Sequence, residues 1–171
     1  NLKKLKKKLN GSFTHIVNLG GYVNHSPVKS EKDKITKTHF IGLVNLITVL
    51  SNKKIKKFIQ IGSSAEYGEV EAPQSENNHC LPNSPYALAK LASTEFLLML
   101  YNIQKFPVTI LRFFQVYGSK QDKNRVLPQI ISGCLNDKKF PVSKGDQIRD
   151  FCYVDDAVKA IFLALKLHYR Y

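Results

Sequence analysis

The order of hydrophobic patterns restricts the fold of this chain more than any other feature. Short runs of β-branched and aromatic residues at 14–19, 58–62 and 108–113 predict buried strands. Segments at about 31–50 and 86–102 repeat apolar residues at helical spacing. Because strands that alternate with helices form parallel sheets, the sequence predicts an α/β fold with right-handed crossovers.

Further elements are expected on either side of this alternation. Leucines at helical spacing predict an incoming helix up to Leu9, which Gly11 ends. Later helices are expected at about 127–135 and from Asp155-Asp156 to about 168, with a short strand around Phe140. The third strand, at 108–113, is expected to end at the segment 114–118.

Composition narrows the class of protein. The 171 residues, 43% of them hydrophobic, suit one domain with a real core. The formal charge of +13 could attract phosphates, nucleic acid or anionic lipid. Beyond the lysine-rich start, however, the lysines are dispersed and no series of aromatic side chains interleaves them. This pattern favours electrostatic attraction of an anionic substrate and predicts no nucleic-acid partner.

Cysteine usage and hydropathy indicate the compartment. Cys80, Cys134 and Cys152 show neither close pairing nor the spacing of metal ligands, which predicts a reducing compartment without disulfides or a bound metal. No run of eighteen apolar residues and no signal-like apolar segment occurs. We therefore expect a cytoplasmic location and no membrane partner.

The segment from Ser84 to Lys90 carries the first chemical signal. Ser84 suits an N-cap and Pro85 the first helical turn, so Tyr86 and Lys90 should share one helix face. A tyrosine ordinarily titrates at about pH 10, and a neighbouring ammonium favours its phenolate form. With a nearby serine hydroxyl, the pair could move a proton at a sugar or alcohol oxygen. The alternative is a solvated helix face.

Special residues also fall where the predicted strands end. Gly20-Gly21 follows the first strand, Ser63-Ser64 the second, and the third ends at residues 114–118. In parallel α/β sheets, ligands bind at the carboxyl ends of the strands. The competing interpretations are an ordinary tight turn for the glycines and a capping hydroxyl for Ser63.

Five motifs occur in one order and together suggest a family, with a likeness that spans nearly all residues from 14 to 165. They are Asn18-Leu19-Gly20-Gly21, Gly62-Ser63-Ser64 with Tyr67-Gly68, Ser84-Pro85-Tyr86 through Lys90, Leu111-Arg112 through Tyr117-Gly118, and Arg149-Asp150-Phe151 with Tyr153 to Asp156. The set resembles the extended short-chain dehydrogenase/reductase superfamily, in its NAD-dependent epimerase/dehydratase branch, which acts on nucleotide sugars.

The resemblance implies roles for the residues at the strand ends and on the Tyr86 helix. Tyr86 would be the acid/base, Lys90 would lower its pKa and hold the nicotinamide ribose, and Ser63 would hydrogen-bond the reacting sugar oxygen. Gly20 and Gly21 would line the dinucleotide, which is NAD or NADP.

The resemblance also implies a substrate side at residues 119–155 and a homodimer in the complete protein. Its substrate-binding residues would be Ser64, Gln115, Arg125 and Arg149, with Arg149 gripping the nucleotide diphosphate and Arg125 as a second phosphate candidate.

Several departures from the family pattern qualify this interpretation. The Gly-rich turn that opens family members is absent, so we expect residues 1–171 to form a partial NAD(P)-binding domain. Its fold would be a Rossmann-like, doubly wound parallel sheet, incomplete at the N-terminus and with a truncated C-terminal substrate lobe. The acidic residue that distinguishes NAD from NADP would lie outside this sequence.

Three positions bear on the reaction. Ala65 stands where 4,6-dehydratases of the family carry an acid, and Glu66 should point to the opposite side of a regular strand. His39 and Gln115 stand where the family commonly has Asn. His39 either hydrogen-bonds backbone in that role or lies on an ordinary helix face.

The sequence therefore predicts a redox enzyme of nucleotide sugars, of the 4-epimerase or 4-ketoreductase type, with a Ser63, Tyr86 and Lys90 site. One alternative is a nucleotide-sugar 4,6-dehydratase. The other, of a different class, is a non-enzymatic protein that uses the same fold to bind RNA or a partner.

Overall fold

The fold is described from a computed structural model that covers residues 2–21 and 34–167. A π-helical segment, Lys37–Ile41, leads directly into a helix, and a 3-10 turn, Ser64–Glu66, follows the second strand. In chain order the other elements are α1 (Leu2–Lys8), β1 (His15–Asn18), α2 (Gly42–Leu50), β2 (Lys57–Ile61), α3 (Pro85–Gln104), β3 (Val108–Leu111), β4 (Gln115–Tyr117), α4 (Val126–Leu135), β5 (Phe151–Tyr153) and α5 (Val154–Lys166).

A parallel three-stranded sheet organises the first compact unit, which comprises the described residues up to 112 and from 161 to 167. Strand β2 lies in the middle, with Phe58 opposite Ile16 of β1 and Val108 of β3. Because all three strands run in the same direction, their carboxyl ends lie at one edge. The predicted parallel α/β arrangement is confirmed.

The core of this unit lies between β2 and helices α2 and α3. Leu43, Leu50, Phe58 and Leu97 form a cluster in which no side chain is more than 2% exposed. The ring of Phe106 packs against Phe58 with 5.5 Å between centroids. Burial of each large apolar side chain contributes about 1.5–3 kcal/mol, so this cluster fixes α3 on the sheet.

Residues 113–160 form a second compact unit. Strands β4 and β5 pair in parallel, with Val116 opposite Cys152. The ring of Tyr117 lies 6.2 Å from that of Phe151 and 5.4 Å from that of Tyr153, measured between centroids. This unit is therefore built on a short pair of strands with aromatic contacts between them.

The structure corrects two sequence-based predictions in this second unit. The third strand ends at Leu111, two residues earlier than predicted, and residues 115–117 form a strand of their own that pairs with β5. The predicted strand around Phe140 is wrong. The Phe140 ring packs on Gly133 of α4, where an added Cβ would lie 2.1 Å from the ring, so its apolar character reflects contact with a helix.

The remaining element predictions hold closely. The incoming helix, the Tyr86 helix and the helix at 126–135 all form, and the last helix ends at Lys166. Predictions for residues 22–33 and for position 168 lie outside the described residues. Within the described part of the chain, no helix is both long and apolar enough to span a bilayer.

Candidate active site

Helix α3 presents Tyr86 and Lys90 as its sequence predicts. The Ser84 hydroxyl accepts the amide hydrogen of Ala87 at 3.1 Å, and Pro85 occupies the first turn. Capping of this kind stabilises a helix start by about 1 kcal/mol. Tyr86 is half-buried and Lys90 is buried, so the interpretation of this segment as a solvated face is wrong for Lys90.

The Lys90 ammonium ties the helix to the central strand. Its Nζ donates to the carbonyl oxygen of Ile61, the last residue of β2, at 2.7 Å. Burial lowers the pKa of Lys90 from its ordinary value of 10.5, while the charge of Glu66 acts in the opposite direction. An ammonium has three donors, so two remain for Tyr86 or a ligand after the bond to Ile61.

Ser63 follows the same strand end. Its backbone is extended, and its side-chain oxygen accepts the amide hydrogen of Ala65 at 3.2 Å. The structure thus gives Ser63 the capping role that was one of the two alternatives. Since that contact uses a lone pair, the hydroxyl proton is available for donation to another oxygen.

The carboxylate of Glu66 is the part of this region that the sequence interpretation missed. Glu66 is fully buried on the 3-10 turn. It does not lie on a regular strand, so the predicted orientation rested on the wrong element. Its Oε1 accepts the Ser63 amide at 2.8 Å, and its Oε2 accepts the Thr94 hydroxyl at 2.8 Å and Arg112 Nε at 2.9 Å.

Arg112 completes this network from the end of β3. Its guanidinium stacks over the Tyr67 ring, 5.0 Å from the centroid, and its side chain is 13% exposed. The guanidinium supplies the positive charge that a buried carboxylate requires. The partners of Glu66 therefore come from the turn after β2, from α3 and from the end of β3.

The glycine turn after β1 lies against His39 of the π-helical segment. Gly20 and Gly21 are exposed, and the Gly20 amide donates to the Asn18 side chain at 3.1 Å. A Cβ on Gly21 would lie 2.6 Å from Cε1 of His39. Position 21 therefore accommodates only a residue without a side chain while His39 keeps this placement.

His39 lies between this turn and Tyr86. It is buried within the π-helical segment, and its ring meets the Tyr86 ring edge to face with 5.1 Å between centroids. Its carbonyl oxygen accepts the Ser93 hydroxyl of α3 at 3.1 Å. The structure thus brings His39 into the Tyr86 region, which the sequence left open.

Of the four residues predicted to bind substrate, three lie in the second unit and one in the first. Ser64 lies in the 3-10 turn next to Ser63. Gln115 and Arg125 line one cavity of about 260 Å³ together with Tyr117 and Phe151. Arg149 is exposed and does not line that cavity, and within the described residues it forms no ion pair with Asp146 or Asp150. The described residues also contain no cluster of three metal-ligating side chains.

Comparison with known proteins identifies the family. The profile of the NAD dependent epimerase/dehydratase family matches residues 1–170. The chain belongs to the NAD-dependent epimerase/dehydratase family. An uncharacterized UDP-glucose epimerase, YtcB, of Bacillus subtilis is 33% identical over 125 residues, which cover 72% of this chain and 40% of that protein. A dTDP-D-glucose 4,6-dehydratase of Dictyostelium discoideum is 27% identical over 164 residues, covering 88% of this chain and 38% of that protein.

Solved structures of nucleotide-sugar epimerases have the same fold. UDP-N-acetylglucosamine 4-epimerase of Methanobrevibacter ruminantium, in complex with UDP-N-acetylmuramic acid, superposes with a TM-score of 0.88 at 30% identity. That match covers 97% of this chain and 55% of that one. UDP-glucuronic acid 4-epimerase of Bacillus cereus, in complex with UDP-glucuronic acid and NAD, gives 0.87 at 26% identity, covering 99% and 55%.

Family membership confirms the resemblance and the Rossmann-like fold class predicted from the five motifs. The chain spans about two fifths of the length of the curated relatives and about half of the solved structures. The roles of individual residues stay predictions, because these comparisons do not address single positions.

Proposed function

We propose that the complete protein is an NAD(P)-dependent nucleotide-sugar oxidoreductase of the 4-epimerase or 4-ketoreductase type. The observation that carries the proposal is the bond from Lys90 Nζ to the Ile61 carbonyl at 2.7 Å. It fixes Lys90, and with it Tyr86 one turn earlier, at the strand end that Ser63 follows. The bond therefore places the helix that carries Tyr86 and Lys90 at the strand end that precedes Ser63, on the carboxyl edge of the sheet, where ligands bind in such folds.

Tyr86, Lys90 and Ser63 each have a separate role in proton transfer. Tyr86, as phenolate, removes the proton from a sugar hydroxyl, and Lys90 stabilises that phenolate through its positive charge. The Ser63 hydroxyl donates a hydrogen bond to the reacting sugar oxygen, which holds that oxygen in place and stabilises the negative charge that develops on it. In the reverse direction Tyr86 returns the proton.

The nicotinamide cofactor would supply the hydride acceptor and donor at the sugar carbon. The described residues fit such a group, because Gly20 and Gly21 expose backbone that no side chain covers. Gly21 lies against His39, and the His39 ring contacts the Tyr86 ring. Two of the three Lys90 donors are not used by Ile61 and could bond ribose hydroxyls. NAD is the cofactor named for the family and bound in the Bacillus cereus epimerase.

The dehydratase alternative is favoured by relatives with that name, such as the Dictyostelium discoideum protein. The site favours the epimerase or reductase type. Elimination of water requires an acid that can reach the leaving hydroxyl. Ala65 cannot serve, and the Glu66 carboxylate is fully buried and accepts three hydrogen bonds from protein groups.

On the substrate side, we assign the nucleotide diphosphate to residues 119–155. Arg149 is exposed, and a guanidinium can chelate two phosphate oxygens at once. Gln115 and Arg125 share a cavity with Tyr117 and Phe151, whose rings could contact a base or sugar. Ser64 is assigned to the sugar side through its position beside Ser63.

For the complete protein we propose a cytoplasmic homodimer without nucleic-acid or membrane partners. Helix α3 exposes Leu88, Met99 and Ile103, which are 11 and 4 residues apart and so share one face. A second copy of the same helix would cover this face. Size measurement of the complete protein by light scattering tests the dimer, and a monomer at micromolar concentration would contradict it. Three free cysteines support a reducing compartment.

The decisive experiment supplies the complete protein with NAD and, separately, with UDP-glucose, UDP-glucuronic acid, UDP-N-acetylglucosamine and dTDP-glucose. We expect a product of unchanged mass with inverted configuration at C4 in NMR spectra. A ketoreductase would instead consume NADH or NADPH with a 4-keto sugar. Loss of one water from the product would establish the dehydratase. Salt-sensitive RNA binding without turnover would establish the non-enzymatic alternative.

A further inference from the structure

We propose that Glu66 is a positioning residue that holds Ser63 in register with the helix carrying Tyr86 and Lys90. The inference rests on the proposed function and adds to it a residue that does not touch substrate. It starts from the burial of the Glu66 carboxylate, which is 0% exposed and ion-paired with Arg112. A buried carboxylate destabilises the fold unless its oxygens accept hydrogen bonds and a positive charge lies nearby.

The partners of the carboxylate come from three separate elements. Ser63 follows β2, Thr94 belongs to α3, and Arg112 follows β3. Thr94 lies one turn after Lys90, and Lys90 itself bonds Ile61 at the end of β2. Two independent links therefore join the same strand end to the same helix, one through Lys90 and one through Glu66.

The second link is the one that reaches Ser63 directly. The Ser63 amide donates to Glu66 Oε1 at 2.8 Å, while the Ser63 side chain accepts the Ala65 amide at 3.2 Å. These two bonds constrain both the backbone and the hydroxyl of Ser63. A displacement of about 1 Å between reacting groups is enough to slow proton transfer strongly. Loosening either bond should therefore reduce turnover without weakening substrate binding.

Gly62 gives independent support for a tight arrangement. A Cβ at this position would lie 2.7 Å from Glu66 Oε1 and 3.1 Å from Arg112 Cγ. The absence of a side chain at Gly62 therefore lets the carboxylate approach the backbone that precedes Ser63. Gly62, Glu66 and Arg112 are therefore packed closely together directly before Ser63.

The test is a double-mutant cycle in the complete enzyme. Glu66→Met, which removes the acceptor of the Ser63 amide, should lower kcat about 10- to 100-fold, as is typical when groups that orient catalytic side chains are lost, with KM for nucleotide sugar unchanged. In a Ser63→Ala background the same substitution should change kcat by less than about threefold, because its effect passes through Ser63. Equal losses in both backgrounds would show a purely structural ion pair and overturn the proposal.

A gentler variant guards against misfolding. Thr94→Val removes one donor and leaves the Arg112 pair intact, so it should lower kcat in the same direction, and Thr94→Ser should restore it. Thr48→Val is the matched control, since the Thr48 hydroxyl bonds the Val44 carbonyl on an exposed helix face. An effect of Thr48→Val on kcat equal to that of Thr94→Val would count against a specific role for the network.

Amide hydrogen exchange separates this inference from the proposed function. We expect the Ser63 amide to be protected in the wild type and to exchange faster in Glu66→Met, which removes the oxygen that accepts its hydrogen, whether or not a nucleotide sugar is turned over. Unchanged exchange at Ser63 would overturn the positioning role even in an active enzyme. Faster exchange in a protein that turns over none of the sugars would refute only the proposed function.

Discussion

The two compact units differ in how firmly the structure fixes their candidate functional groups. In the first unit, Ser63 and Lys90 each have defined hydrogen bonds, and Glu66 ties Ser63 to two further elements. In the second unit, Arg149 is exposed and has no ion pair among the described residues. Proton-transfer groups must be preorganised, whereas groups that grip a flexible diphosphate can be ordered by the ligand itself.

The largest expected effect tests the preorganised unit at its centre. Tyr86→Phe in the complete protein should lower kcat by about 10² to 10⁴, because only the titratable oxygen is lost. The phenyl ring can keep the edge-to-face contact with His39. Steady-state kinetics measures the loss, and unchanged cofactor affinity and melting temperature serve as controls. Turnover within a few-fold of the wild type would remove Tyr86 from the acid/base role.

The next effect compares ion pairs from the two units. Arg112→Met should destabilise the protein by about 3–5 kcal/mol, because it leaves the Glu66 carboxylate buried without its counter-charge. Asp156→Asn removes the Lys159–Asp156 pair of the second unit, whose side chains are 73% and 61% exposed, and should leave stability nearly unchanged. Urea unfolding of both variants checks the contrast. Similar losses would show that the two units are equally dependent on their ion pairs.

A smaller effect concerns the exposed arginine. Arg149→Ala should raise KM for nucleotide sugar about tenfold and leave kcat nearly unchanged, since phosphate is not where bonds change. Lys144→Ala is the matched control, because Lys144 is an exposed cation in the same segment. If both variants raise KM equally, Arg149 acts only through diffuse charge, and if neither does, it lies outside the site.

The smallest effect is a pH dependence of stability. Burial lowers the pKa of Lys90 in the folded protein below 10.5, so the unfolded chain binds the proton more tightly. The buried Lys90 charge destabilises the folded state fully at pH values below the pKa of Lys90 in the folded protein. This destabilisation decreases as the pH rises toward 10.5. Between pH 7 and about 10, wild type should therefore gain urea resistance relative to Lys90→Met. A constant difference across this range would contradict the shift.

Local patterns predicted the parts of the molecule that local physics determines. Ser84-Pro85 specified the start of α3 and therefore the shared face of Tyr86 and Lys90. The strand patterns predicted β1, β2 and β3 within a few residues. The five ordered motifs led to the family, which the comparison confirmed.

The missed features depend on contacts between residues that are distant in sequence. Glu66 acquires its burial from Thr94 and Arg112, which lie 28 and 46 residues away. Strand β4 forms a separate element because its partner is β5, far along the chain. Phe140 looks like a strand residue but packs on a helix glycine. No periodicity in a single sequence contains this information.

The contact between Gly21 and His39 has a practical consequence for protein engineering. We expect a library that varies position 21 alone to return mostly destabilised variants, because even an alanine methyl would lie 2.6 Å from the imidazole. Since that imidazole also rests on Tyr86, relief must come from a smaller residue at 39, which in turn removes a support of the Tyr86 ring. Positions 21 and 39 should therefore be varied together while Tyr86 is kept, so that compensating pairs can be recovered.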